Sequence, residues 1–290
     1  MSDVLQVALS HDIDRVHKTY QYLTRAFRSC MRMRFGAALK EILSVKESRS
    51  VYWNFEDIME TEDKHGVRST FFFLNESIRF QLLRPSNWKL SLGRYDVSDP
   101  KITDVIQQLD KNGWEVGLHG SYLSYNNYDL LVREKRILED IVGHEVVGIR
   151  QHYLNWNDHT WEYQYAAGFK YDSSLGYNDR VGYYDDIAKP FKHRVGLIEF
   201  PLAIMDICYM KIKDRSEALT RVIKQTKKAQ GVLVLNWHGD NWDDHDYPEY
   251  KKTYIGLINF LQDQGAVFKT LGDFYHDYNE IDMPIMTIRK

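Results

Sequence analysis

The feature that most restricts what this chain can fold into is a recurring pattern. Short, nearly uninterrupted apolar runs are each followed at once by polar, chemically capable residues, with stretches of helical periodicity between them. The runs are Val4 to Leu9, Val67 to Leu74, Trp114 to Leu118, Val146 to Ile149 and Gly231 to Leu235. Apolar runs without alternation suit strands buried on both faces, and helices between them suit crossover connections, so the pattern predicts an α/β fold around a parallel sheet. Helices are predicted over Trp53 to His65, Ile102 to Lys111, Asp129 to Ile141, Asn157 to Ala167, Glu217 to Ala229 (with Ser216 as N-cap) and Tyr250 to Gln264. The stretch from Leu197 to Leu202 reads as one further strand, ending near Asp206. Ala266 to Phe268 reads as a last short strand closing the domain.

No Pro-, Gly- or Ser-rich linker divides the 290 residues, so one domain over 1–290 is expected. Two stretches read as insertions. Residues 15–62 include a run from Arg15 to Glu47 with helical spacing, broken near Gly36, that is expected to form a lid, and residues 79–100 read as a surface loop. With 38 Lys and Arg against 41 Asp and Glu, the net charge of -3 argues against a nucleic-acid partner and against a polybasic membrane patch. Two widely separated cysteines, Cys30 and Cys208, give no disulfide framework, and no segment approaches a membrane span or a signal peptide. A cytoplasmic location is the expectation.

The polar residues delivered by the apolar runs carry the chemistry. Ser10-His11-Asp12-Ile13-Asp14 places two carboxylates at i and i+2, facing one way if the strand continues. In a pocket such a pair needs a cation or a shared proton, whereas in solvent it is an ordinary Asp-rich turn. His119, Arg150, Asp172 and His238 also fall at strand ends. Taken singly, each has a bland reading as a hydrogen-bonded histidine, a surface ion pair or a turn residue. In a β/α barrel, however, functional side chains gather at the C-terminal ends of the strands.

The ordered set resembles the polysaccharide deacetylase superfamily, the NodB-like carbohydrate esterases, from Leu9 to Phe274. The matching fragments are His11-Asp12-Ile13-Asp14, Glu115-Val116-Gly117-Leu118-His119-Gly120, Gly148-Ile149-Arg150-Gln151-His152, Gly168 to Ser174 and Leu235-Asn236-Trp237-His238. The resemblance implies a distorted (β/α) barrel and a hydrolase that removes an acetyl group from an N-acetylated sugar with a divalent metal, zinc first and cobalt or nickel as alternatives. It implies Asp14 and His119 as metal ligands, Asp12 as general base, Arg150 as the residue that orients the base, His238 as general acid, and Asp172 as the carboxylate tuning that acid.

One departure stands out. The family's second metal histidine falls at Leu123, which cannot coordinate. His152 is the first candidate for the third ligand, since it lies two residues from Arg150 and shares its facing if the strand continues; His17, His11, Ser121 or water are weaker ones. The expected substrate is an N-acetylated sugar, a glycan precursor or a nucleotide- or lipid-linked saccharide. The alternatives are a catalytically silent sugar-binding or scaffold protein of the same fold and a hydrolase of another C–N or ester bond. The polar stretch Asp240 to Asp246 reads as a solvated loop, with a second cation site or a sugar-contacting loop as the sharper alternatives.

Overall fold

In a computed structural model, residues 4–288 are described except for 32, 34, 37, 38, 40–50 and 245. The strands are β1 (Gln6–Ile13), β2 (Thr70–Leu74), β3 (Glu115–Gly120), β4 (Gly148–Gln151), β5 (Tyr171–Asp172), β6 (Phe191–His193), β7 (Ile198–Glu199), β8 (Leu202–Met205), β9 (Val232–Asn236), β10 (Val267–Phe268) and β11 (Ile285–Met286). They form one sheet in the order β11-β6-β7-β5-β4-β3-β2-β1-β9-β8, with β10 pairing the start of β1. Every pairing is parallel except that between β6 and β7. The sheet curls into a half-barrel, the distorted α/β barrel architecture anticipated above.

The helices are α1 (Gln21–Met31), α2 (Phe55–Lys64), α3 (Pro85–Ser91), α4 (Pro100–Lys111), α5 (Tyr128–Val142), α6 (Thr160–Ala166), α7 (Asp206–Tyr209), α8 (Arg215–Ala229), α9 (Tyr250–Asp263) and α10 (Leu271–Asn279). Apolar residues at three- and four-residue spacing seat them on the core: Ile102, Val105, Ile106 and Leu109 of α4, and Leu257, Ile258 and Leu261 of α9, are all buried. Helix α5 ends on Gly143 at φ 81°, the left-handed position that stops a helix.

Several expectations need correction. Strand β1 runs on through Asp12 rather than ending at Leu9, because Ser10, His11, Asp12 and Ile13 pair with β2. Residues 79–100 are not all loop: α3 starts on Pro85, whose missing N–H costs nothing at a first helical position. Helix α8 is capped by Asp214, which accepts the Glu217 N–H at 2.9 Å, rather than by Ser216. The single strand read from Leu197 to Leu202 is two, β7 and β8, which lie in different parts of the sheet. The chain also continues past β10 into α10 and β11. Of the stretch expected to form a lid, Arg15 to Glu47, residues 15–31 are described and include α1, while 32, 34, 37, 38 and 40–47 lie outside the described residues.

The floor of the barrel explains two sequence details. The Arg150 guanidinium lies over the Phe72 ring at 4.6 Å, and a Cβ on Gly117 would meet that ring at 2.6 Å, so glycine is needed there. On the other face of β1, His11 bonds the Trp237 carbonyl at 2.7 Å and Glu62 at 2.8 Å. Glu62 is fully buried and also accepts from Ser69 (2.8 Å), Trp114 (2.6 Å) and Tyr254 (2.6 Å). That hub ties α2, β1, β3 and α9 together, and it accounts for His11, which is therefore not a metal ligand.

Candidate metal centre and catalytic cleft

Adjacent strands deliver the site at their C-terminal ends: β8 brings Asp206, β9 brings Asn236 and His238, β1 brings Asp12 and Asp14, β3 brings His119, and β4 brings Arg150 and His152. The pairings His119 with Arg150 and Ser10 with Asn236 fix these residues at one level. Together with Arg15, Tyr153, Leu154, Asn178, Met205, Ile207, Asp240, Asn241 and Tyr247, the acids and imidazoles line one cleft of about 190 Å³. Arg150, fully buried, lies behind Asp12.

Asp14, His119 and His152 converge, each offering one ligating atom within 4.8 Å of the others. His119 Nε2 lies 3.2 Å from Asp14 Oδ1, and His152 Nε2 lies 3.5 Å from Asp14 Oδ2. His119 Nδ1 donates to the Arg150 carbonyl at 2.8 Å, which leaves Nε2 to face Asp14. Asp14 Oδ1 accepts no hydrogen bond, and His152 Nδ1 has no partner. Nitrogen and oxygen ligands about 2.1 Å from a tetrahedral zinc sit roughly 3.4 Å apart, close to the separations found here. Two imidazole nitrogens and a carboxylate oxygen turned toward one another fit a divalent ion. Burial would raise the Asp14 carboxyl, but the two imidazoles outweigh it and hold it well below its ordinary value.

His152, and not Leu123, stands beside Asp14 and His119. Strand β4 stops at Gln151, and the chain turns through Tyr153 and Leu154 at φ 59° and 50°, a left-handed conformation costly for non-glycine residues. That turn keeps His152 on the cleft side. Leu123 lies on the turn past β3, 51 % exposed and outside the cleft. Ser121 is buried and His17 exposed, and neither joins the converging group.

Asp12 is set apart from that group as an oriented carboxylate. Its Oδ1 accepts from Arg150 Nη1 at 2.9 Å and its Oδ2 from Asn236 Nδ2 at 2.7 Å, while Asn236 Oδ1 accepts the Asp12 N–H at 3.1 Å. Arg150 is itself fixed by Ser10 Oγ, Ser173 O and Ser173 Oγ at 2.8 to 3.0 Å. Burial pushes Asp12 up, yet Arg150, His119 and His238 more than offset it, so the carboxylate stays ionised.

The acid side differs from expectation. His238 Nδ1 donates to Asp206 Oδ1 at 2.7 Å, and Asp206 Oδ2 accepts the His238 N–H at 2.9 Å and Asn241 Nδ2 at 2.8 Å. Burial would lower the His238 pKa, but Asp206, with Asp14 and Asp12 behind it, raises it well above the ordinary imidazole value. Asp172 does not tune His238. It belongs to β5, beyond β4, where it accepts from Trp161 Nε1 (3.2 Å) and Ser174 Oγ (2.6 Å), and burial beside Glu199 raises its pKa well above the carboxylate range.

Asp206 and Asn236 were given no role from the sequence, although Asn236 lies two residues before His238 and so shares a facing along β9. The polar stretch after His238 is part of the cleft wall at Asp240 and Asn241, both buried, rather than a solvated loop. Asp246, further along, accepts from Lys18 at 2.9 Å and anchors α1 through Arg25 at 3.3 Å.

No family model matches the chain, and no curated protein matches it. Solved structures do match in fold. A Mycobacterium smegmatis protein provisionally named a polysaccharide deacetylase superposes with a TM-score of 0.61 at 16% identity, covering 99% of this chain and 95% of that one. PuuE allantoinase gives 0.59 at 14% identity, covering 96% and 91%. A 4-alpha-glucanotransferase from Thermococcus litoralis gives 0.56 at 14% identity, covering 96% of this chain but 41% of that one. Those names span different reactions, so the likeness establishes a shared architecture, and any function rests on the side chains in the cleft. In fold, over nearly its whole length, the chain is similar to a protein of the polysaccharide deacetylase type.

Proposed function

We propose that the chain is a metal-dependent hydrolase that removes an acetyl group from an N-acetylated sugar or glycan precursor, nucleotide- or lipid-linked forms included. One observation carries this reading. A metal-fitting Asp14, His119 and His152 group shares one cleft with an arginine-held carboxylate at Asp12 and a carboxylate-held imidazole at His238.

Amide hydrolysis requires a nucleophile at the carbonyl carbon and a proton for the departing nitrogen. A divalent ion held by Asp14, His119 and His152, zinc by donor set, would supply Lewis acidity and lower the pKa of water. Asp12 accepts the proton of the attacking water, and Arg150 and Asn236 keep its second lone pairs occupied so that it does not drift. His238, its Nδ1–H committed to Asp206, presents Nε2 toward the cleft and gives its proton to the amine as the C–N bond breaks. Oxygen from water leaves in acetate, and the proton budget closes through Asp12 and His238.

The test is acetate release, followed by NMR, from N-acetylglucosamine oligomers and from UDP-N-acetylglucosamine, with purified protein reconstituted in zinc or cobalt. Metal-dependent acetate release supports the reading. Full metal occupancy with no acetate from any N-acetylated saccharide would refute it.

A further inference from the structure

We propose that the rim of the cleft formed by residues 19–31 and 79–94 docks on the surface of an anionic lipid bilayer. The balanced total charge conceals a segregation. Positions 19–31 and 79–94 hold six of the 38 Lys and Arg and none of the 41 Asp and Glu. An ordinary aqueous surface intersperses the two signs.

The same two segments expose large apolar side chains. Helix α1 carries Leu23, Phe27 and Met31 at four-residue spacing on one face, each about 70 % exposed (71, 69 and 70 %). The segment leading into α3 exposes Phe80, Leu82 and Leu83, the last at 92 %. Its hydrogen bonds hold it in that shape. Asn87 Nδ2 donates to the Arg79 carbonyl (3.0 Å), Asn87 Oδ1 accepts the Gln81 N–H (2.9 Å), and Trp88 Nε1 donates to the Gln81 carbonyl (3.1 Å). Leucines held outward by a built scaffold mark an interaction surface rather than a collapsed loop.

The two segments meet beside the cleft. Arg15 Nη2 donates to the Lys89 carbonyl at 3.1 Å, and a Cβ on Gly93 would meet Thr19 Oγ1 at 2.8 Å. Arg15 lines the cleft, and the Arg25 guanidinium lies 4.9 Å from the ring of Tyr247, another lining residue. Arg15, Lys18 and Arg25 turn inward to Asp240 and Asp246, while Arg79, Arg84, Lys89 and Arg94 are exposed around the leucines.

Aliphatic side chains ringed by cations without any acid complement an anionic headgroup layer, where the apolar groups seat at the acyl boundary and the cations meet lipid phosphates. Four aliphatic side chains, Leu23, Met31, Leu82 and Leu83, stand beside the exposed rings of Phe27, Phe80 and Trp88, and a face in which aliphatic groups predominate seats at an acyl boundary better than on nucleic-acid bases. Docked this way, the mouth of the cleft opens beside the bilayer whatever reaction the cleft carries out.

The experiment is vesicle flotation of the full chain with phosphatidylcholine alone and with about one-third phosphatidylglycerol added, at low and high salt. The expected result is binding that requires phosphatidylglycerol, weakens with salt, and falls at least about tenfold in Leu82→Ser/Leu83→Ser and in Arg84→Glu/Lys89→Glu. Melting temperatures check that these exposed substitutions leave the fold intact. Absence of binding to anionic vesicles overturns the proposal. So does binding that both variants leave unchanged, and so does concentration-dependent self-association abolished by the leucine variant without any vesicle binding, which would assign the face to a second copy of the chain.

Discussion

Replacing Asp206 by Asn should move the alkaline limb of the pH–rate profile toward neutrality. Asp206 contributes a full negative charge against the imidazolium of His238 across a 2.7 Å hydrogen bond, with the carboxylate buried and the His238 side chain 13 % exposed. Unit charges about 4 Å apart at an effective dielectric constant of roughly 20 interact by about 4 kcal/mol. The amide of Asn recovers only a part of this through its oxygen. The sign follows from the acid's role. In the proposed reaction His238 must carry a proton to protonate the leaving amine, so the rate falls as pH rises through its raised pKa, and Asp206→Asn brings that fall to lower pH. At a pH between the old and new limbs, kcat/KM drops roughly 100-fold. The assay pairs the kcat/KM profile with an NMR titration of the His238 imidazole, which reports the pKa without turnover. Asp172→Asn, one strand beyond β4, should leave both readouts in place. An unchanged His238 titration in Asp206→Asn, or a shift in Asp172→Asn instead, would refute the assignment of the acid's partner.

Other outcomes follow from the same geometry. Asp12→Asn should reduce turnover by about 100-fold or more while metal content, read by elemental analysis, stays at the wild-type value. Because the Asp12 pKa is depressed on folding, it adds stability above the unfolded carboxylate value that is lost as pH falls through its folded value. Denaturant titrations of Asp12→Asn should therefore show a weaker loss of stability on acidification below about pH 4. Glu62→Leu strands four buried donors, those of His11, Ser69, Trp114 and Tyr254, and should cost about 4 kcal/mol or more in urea unfolding. A loss under about 1 kcal/mol would mean that those donors find other partners.

The parts of the site that the sequence made legible are those where one apolar run leads directly into one functional residue. Asp12 on β1 and Asp14 just past it, His119 on β3, Arg150 on β4 and His238 after β9 all follow such runs, and period-two facing carried the argument from Arg150 to His152. Asp206 was hidden because Pro201 lies between two short strands that read as one. Only the sheet order, which places β8 beside β9 and β7 beside β5, shows that the chain has crossed to the other edge. Asp172 was misplaced for the matching reason: it is next along the chain, but its strand lies on the far side of β4 from the acid. Helix α3 was read as loop because Pro85 is a breaker everywhere except at a helix start. Net charge is silent on one further point, since a sum over 290 residues says nothing of where the signs gather.

The central claim is that Asp14, His119 and His152 hold one metal ion, with His152 in the place of the ligand lost at Leu123. The most direct measurement is a crystal structure of protein soaked in cobalt, with the ion located by its anomalous signal. The account predicts one ion bonded to an Asp14 carboxylate oxygen, His119 Nε2 and His152 Nε2, and its loss in His152→Ala. An ion bound at Asp14 and His119 with full occupancy in His152→Ala, or an ion bound elsewhere, would contradict it.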